Sequence, residues 1–105
     1  SKQEAIDTGE YSKFYMHRIG HWLGMDVHDV GSYKQDGDWR DLEPGMVMTI
    51  EPGIYILDSL EGVEDKWKGI GVRIEDDVLV TKEGFEVLTP DIPRSIEEVE
   101  STVQS

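Results

Sequence analysis

The sequence predicts an α+β fold, mostly antiparallel strands with one C-terminal helix. Three observations carry this. Short β-rich runs at 46–50 and 70–80 are bounded by turn formers. A Lys82-Glu83-Gly84 turn separates the second run from Phe85–Leu88, the pattern of a hairpin. Ser95 with Glu98 three residues on forms a capping box that starts a helix running to about 103.

In chain order, residues 3 to 16 mix helix formers with Gly9 and read as the end of a helix followed by a loop. Residues 17–31 are rich in His, Gly and aliphatics, and the alternation of Met25, Val27 and Val30 with Asp26, His28 and Asp29 suggests an extended stretch. Residues 32–45 hold turn formers and read as a loop. Met46–Ile50 lies between two copies of Glu-Pro-Gly and reads as a strand that Ile54–Leu57 continues. Residues 58–69 are a polar loop, and the acidic run Glu97, Glu98, Glu100 reads as a solvated helix face.

Composition bounds the function. At 105 residues the chain is one domain or part of one, and Leu, Ile, Val and Phe supply 27 of them, enough for a globular protein. The net charge of −13 argues against a phosphate-binding surface, so no nucleic acid partner is expected. No membrane association is expected, since no apolar run approaches the length of a span. Cysteine is absent, which removes disulfides, thiolate metal sites and a cysteine nucleophile, and the default expectation is a cytoplasmic protein. The chain opens Ser1-Lys2-Gln3 without a methionine, compatible with a missing upstream portion or a processed start.

Chemistry concentrates in three places. His17, His21 and His28 would share one face of a continuous helix, the geometry of a mononuclear zinc site, but Gly20, Gly24 and the valines oppose a helix. The alternative is that they are hydrogen-bonding structural histidines. Glu51 closes the 46–50 strand at a Pro-Gly turn, and Glu75 sits mid-strand with Arg73 on the same face. A charge inside an apolar strand is costly to bury unless paired or metal-bound. The competing reading is the solvent side of a hairpin, which is kept for Asp76, Asp77 and Glu43.

Taken together, HRIGHWLGMDVHDVG (17–31), LEPGMVMTIEPGIY (42–55) and GIGVRIEDD (69–77) resemble the successive motifs of aminopeptidase P, the Xaa-Pro aminopeptidase branch of the pita-bread metallopeptidases. The resemblance spans roughly residues 14 to 90 and implies the C-terminal half of a pita-bread (creatinase/aminopeptidase-like) fold. It implies release of the N-terminal residue from peptides with proline second, by a water activated between two divalent metal ions. Mn²⁺ suits the carboxylate-rich donor set first, with Co²⁺, Zn²⁺ or Fe²⁺ also compatible.

By the same resemblance His21, Glu51 and Glu75 are metal ligands, Glu51 also serves as the base, and Glu75 bridges the metals. His17 and His28 are site-lining groups that hold substrate and stabilise the tetrahedral intermediate, and Arg73 contacts substrate or supports a ligand. Trp22, Tyr33, Trp39, Tyr55 and Trp67 are candidates for a proline recess, each with packing as the alternative.

The family pattern needs two further aspartate ligands upstream of the histidine motif, and Asp7 is the sole aspartate before His17. Residues 1–105 are therefore expected to be the C-terminal part of a metallopeptidase catalytic domain, inactive alone, with the upstream half and N-terminal domain absent. An uncovered half-fold is expected to associate with itself as a homo-oligomer. Two other readings stand beside this one: a prolidase acting on Xaa-Pro dipeptides, and a non-catalytic pita-bread binding module.

Overall fold

The computed structural model describes residues 1–104. Helix α1 (Lys2–Thr8) opens on a capping box between Ser1 and Glu4 and ends at Gly9, whose left-handed backbone (φ 71°) turns the chain into a short 3₁₀ segment over Glu10–Lys13. Residues 17–33 contain no helix, so the three histidines do not share a helical face. The extended stretch expected at 25–30 is also absent: the chain bends there. Backbone bonds Gly24 N–H to Asp26 O and Asp29 N–H to Trp22 O close a loop on itself, and Met25, Val27 and Val30 point into solvent.

Residues 32–45 hold more than a loop. Strands β1 (Lys34–Gln35) and β2 (Asp38–Trp39) pair around Asp36-Gly37, both with positive φ, the two-residue turn that Asp-Gly favours.

Two longer arms then build the centre of the molecule. The first carries β3 (Val47–Ile50) and β4 (Gly53–Ile56), and the second β5 (Ile70–Arg73) and β6 (Asp76–Val80). Each run expected to be one strand is thus two, and Glu75 lies in the gap rather than mid-strand. The partners are antiparallel: β3 with β6 (Ile50 opposite Asp76) and β4 with β5 (Gly53 opposite Arg73). Register is continuous across the gap, so Pro52 lies opposite Ile74, whose N–H donates to the Pro52 carbonyl at 3.1 Å. Pro52 has no N–H to give the ladder, which is why pairing is interrupted there.

Strand β7 (Phe85–Val87) adds to β6 through the expected hairpin, giving the order β3-β6-β7. Helix α2 (Ile96–Val103) begins at the expected Ser95–Glu98 capping box. Among the described residues no helix is long and apolar enough to cross a membrane.

The interior is thin. Val78 is the one buried apolar side chain among the described residues, alongside Thr49 and Glu51. The radius of gyration is 17.0 Å, against about 13 Å for a closed domain of some 100 residues. Leu42 in the loop before β3, Ile50 and Phe85 on the sheet, and Ile96, Val99 and Val103 on α2 stay exposed.

Candidate metal centre

The site forms at the gap in the ribbon. Because the register runs through it, Glu51 on the first arm stands opposite Glu75 on the second. His21 arrives from a third segment, residues 19–23, which lies against β3 like an additional strand: Glu51 N–H donates to Ile19 O at 2.7 Å, Thr49 N–H to His21 O at 2.9 Å and Leu23 N–H to Val47 O at 3.1 Å. Gly20 permits this approach. A Cβ there would lie 2.1 Å from the Thr49 carbonyl oxygen.

One ligand-capable atom from each of His21, Glu51 and Glu75 lies within 4.8 Å of the others. His21 Nδ1 is 3.0 Å from the Trp22 carbonyl, which fixes that nitrogen as the N–H donor. Its Nε2, the remaining lone pair, sits 3.3 Å from Glu51 Oε1. Holding one imidazole nitrogen on a carbonyl so that the other faces the ion is the usual support for a metal-binding histidine. Two carboxylates directly opposite one another repel. One imidazole lone pair and two carboxylates therefore form a donor set that a divalent cation fits.

Thr49, 1% exposed, joins two of these donor residues. Its hydroxyl accepts the His21 main-chain N–H at 3.1 Å and donates to Glu51 Oε1 at 3.1 Å. Arg73 Nη1 approaches Glu51 Oε2 at 3.3 Å, so both oxygens of this buried carboxylate have partners.

Arg73 Nε also donates to the Tyr55 hydroxyl at 2.7 Å, and this bond holds the guanidinium pKa above its ordinary value. Tyr55 in turn reaches His17 Nε2 at 2.9 Å, while His17 Nδ1 lies 2.7 Å from the Arg18 carbonyl. Since a carbonyl only accepts, Nδ1 carries the proton and Nε2 accepts from Tyr55. Both ring nitrogens of His17 are therefore engaged within the chain. A substrate contact there requires exchange of the Tyr55 bond.

His28 is exposed, its ring 4.3 Å from that of His21. His17, His21, His28, Tyr33, Glu51 and Arg73 line one cleft of about 370 Å³, and Tyr33 stacks on Trp22 at 5.3 Å as an aromatic wall. Glu75 faces the adjoining groove, which it shares with Arg73 and the segment around Arg94. Trp39 and Trp67 lie outside the cleft and are exposed, with the Lys34 and Lys66 ammonium groups over their respective rings.

The structure brings the six residues named from the sequence, His17, His21, His28, Glu51, Arg73 and Glu75, to this cleft and the adjoining groove, and adds Thr49 and Tyr15, which the sequence did not single out. Thr49 was available from strand alternation, since it shares a face with Glu51 two residues on. The Tyr15 hydroxyl is buried without a hydrogen-bond partner among the described residues, and burial and then the Glu51 charge push its pKa up. Nothing in its sequence context signals that.

The profile of the family described as Metallopeptidase family M24 matches residues 2–82. This chain belongs to metallopeptidase family M24. The M24 chain is 54% identical to the Xaa-Pro aminopeptidase of Haemophilus influenzae over 96 residues, which cover 91% of this chain and 22% of that protein. It is 50% identical to the Xaa-Pro aminopeptidase of Escherichia coli over 98 residues, 93% of this chain and 22% of that one.

Among solved structures, aminopeptidase PepP of Pseudomonas aeruginosa superposes with a TM-score of 0.92 at 58% identity, over 99% of this chain and 24% of that chain. Aminopeptidase P from E. coli with the inhibitor Pro-Leu gives 0.86 at 48% identity, over 96% and 23%. The M24 chain thus has the fold of a portion of the pita-bread architecture, and it spans less than a quarter of the length of these relatives.

Proposed function

We propose that residues 1–105 are the C-terminal part of the catalytic domain of an Xaa-Pro aminopeptidase, which releases the N-terminal residue from peptides with proline second. The observation that carries this is the convergence of His21, Glu51 and Glu75 in a chain closely similar to enzymes of that name. His21, Glu51 and Glu75 would hold the metal, with Mn²⁺ as the ion best suited to a donor set of two carboxylates and one imidazole. When bound, a pair of divalent ions supplies Lewis acidity and a water of lowered pKa.

The chain's own residues do the rest. Thr49 aims the Glu51 carboxylate, which takes a proton from the attacking water. Arg73 balances the Glu51 charge and, through Tyr55, holds the His17 ring. His28 borders the open side of the cleft, where it meets the peptide, and the Trp22–Tyr33 stack offers an apolar wall for proline. Self-association and a cytoplasmic setting belong to the same reading.

A pure binding module does not need the three donors together, and this favours the enzyme. The test is Glu51→Ala in the full-length protein that carries this chain. Turnover of a peptide with proline second is expected to vanish with the thermal melt retained, and near-normal turnover overturns the mechanism. Comparing tripeptides with dipeptides separates aminopeptidase from prolidase.

A further inference from the structure

Glu75 carries no hydrogen bond on its carboxylate among the described residues, although it is one of the three converging donors. Its direction is set by the backbone on either side. On one side Ile74 N–H is tied to Pro52 O. On the other stands Asp76, paired in register with Ile50, the neighbour of Glu51. The side chain of Asp76 is the most densely bonded carboxylate of the site region.

We infer that Arg94 is a positioning residue for Glu75, acting through Asp76. This rests on the metal-centre reading above.

A guanidinium has five N–H donors, and Arg94 uses all of them. Nε donates to Asp76 Oδ2 at 2.8 Å, and Nη2 donates to Asp76 Oδ1 and to the Thr89 carbonyl. Nη1 donates to the carbonyls of Pro90 and Ile92, each at 3.1 Å. Thr89 completes the knot: its hydroxyl donates to Asp76 Oδ1 at 2.7 Å and accepts the Asp77 N–H at 3.2 Å.

An exposed single-point ion pair contributes little. A bidentate pair with every donor satisfied, flanked by three captured carbonyls, instead locks residues 89–94 against the first residue of β6. That residue follows Glu75 directly, and Glu75 and Arg94 line the same groove. The segment after β7 thus sets the angle at which Glu75 leaves the strand gap. Lysine carries neither the planar fork nor five donors and cannot reproduce the arrangement.

The experiment is calorimetric titration of Mn²⁺ into the metal-free full-length protein, comparing wild type with Arg94→Ala, Arg94→Lys, Glu75→Gln and the double variant Glu75→Gln/Arg94→Ala, each with its melting curve. Arg94→Ala is expected to weaken Mn²⁺ binding about 10-fold to 100-fold, the usual cost of losing support for a ligand. Arg94→Lys falls between it and wild type, and keeps the test valid if the alanine variant does not fold. In the Glu75→Gln background the Arg94 substitution adds no further loss.

An unchanged Mn²⁺ affinity in both Arg94 variants, with only a lower melting temperature, overturns the inference and leaves a tie between α2 and the sheet. An equal further loss in the Glu75→Gln background overturns it too. Mn²⁺ binding indifferent to Glu75→Gln overturns the metal-centre reading and the inference with it.

Discussion

Glu51 and Glu75 face each other across a break in an otherwise continuous antiparallel ribbon, with Ile50 paired to Asp76 on one side and Gly53 to Arg73 on the other. Like charges placed opposite destabilise a ladder by up to about 1 kcal/mol. Glu75→Gln is therefore expected to raise the stability of the metal-free full-length protein by that order while lowering Mn²⁺ affinity. Urea melts with and without Mn²⁺ check both signs. A variant less stable without metal would show that the two carboxylates do not oppose one another.

Thr49 is the shared support of His21 and Glu51, two of the three converging donors. Thr49→Val keeps the shape but leaves the His21 N–H and Glu51 Oε1 without this partner in a buried position. A cost of about 1–3 kcal/mol is expected, with weaker Mn²⁺ binding. Thr49→Ser, which keeps the hydroxyl, is expected to retain most of the affinity, as calorimetry of the pair would register.

Gly20 is required by contact rather than by backbone angle. A methyl group at 2.1 Å from the Thr49 carbonyl oxygen forces the 19–23 segment away from β3 and carries His21 with it. Gly20→Ala is expected to cost several kcal/mol, as overpacking does, and to abolish metal binding. A thermal shift of the metal-free protein smaller than a few degrees would count against this.

Acid should loosen the C-terminal segment first. Hydrogen bonds from Arg94, then Thr89, hold the Asp76 pKa below its ordinary value, and the backbone N–H groups of Ser95 and Arg94 do the same for Glu98. Their contribution is complete above the unfolded carboxylate range near pH 4 and is lost as pH falls through the lower folded values. Metal-free Asp76→Asn, which has no carboxylate to protonate, is expected to show a shallower fall in stability as pH drops below about 4. Denaturant melts across that range provide the measurement, and identical slopes would contradict it.

The exposed faces make a prediction for the 105-residue chain on its own. With Leu42 beside the sheet, Ile50 and Phe85 on it and Ile96, Val99 and Val103 on α2 all exposed, self-association is expected. Sedimentation velocity should show a concentration-dependent average mass. A monomer at every concentration would remove the proposal.

Much of this was legible before folding. The Ser95–Glu98 box predicted α2, the Lys82–Gly84 turn predicted the β6–β7 hairpin, and the order of three motifs pointed to the family and to His21, Glu51 and Glu75. Other elements were misread for definite reasons. Asp36-Gly37 is a hairpin turn, yet its strands are too short to show alternation. Met25–Val30 alternates like a strand but bends, because its backbone groups bond within their own loop instead of to a sheet. Asp76 reads as a surface acid, since its partner Arg94 is 18 residues away and nothing local announces it.

The sequence by itself determined the residue types of the site and the local turns and caps, because these depend on neighbours within a few positions. Only the tertiary structure decided that Glu51 and Glu75 stand opposite one another, that Thr49 joins His21 to Glu51, and that Arg94 is bonded to Asp76 beside Glu75. Those relations depend on pairing register and on the close approach of a third segment, and register is set by cross-strand hydrogen bonds that no single stretch of chain contains.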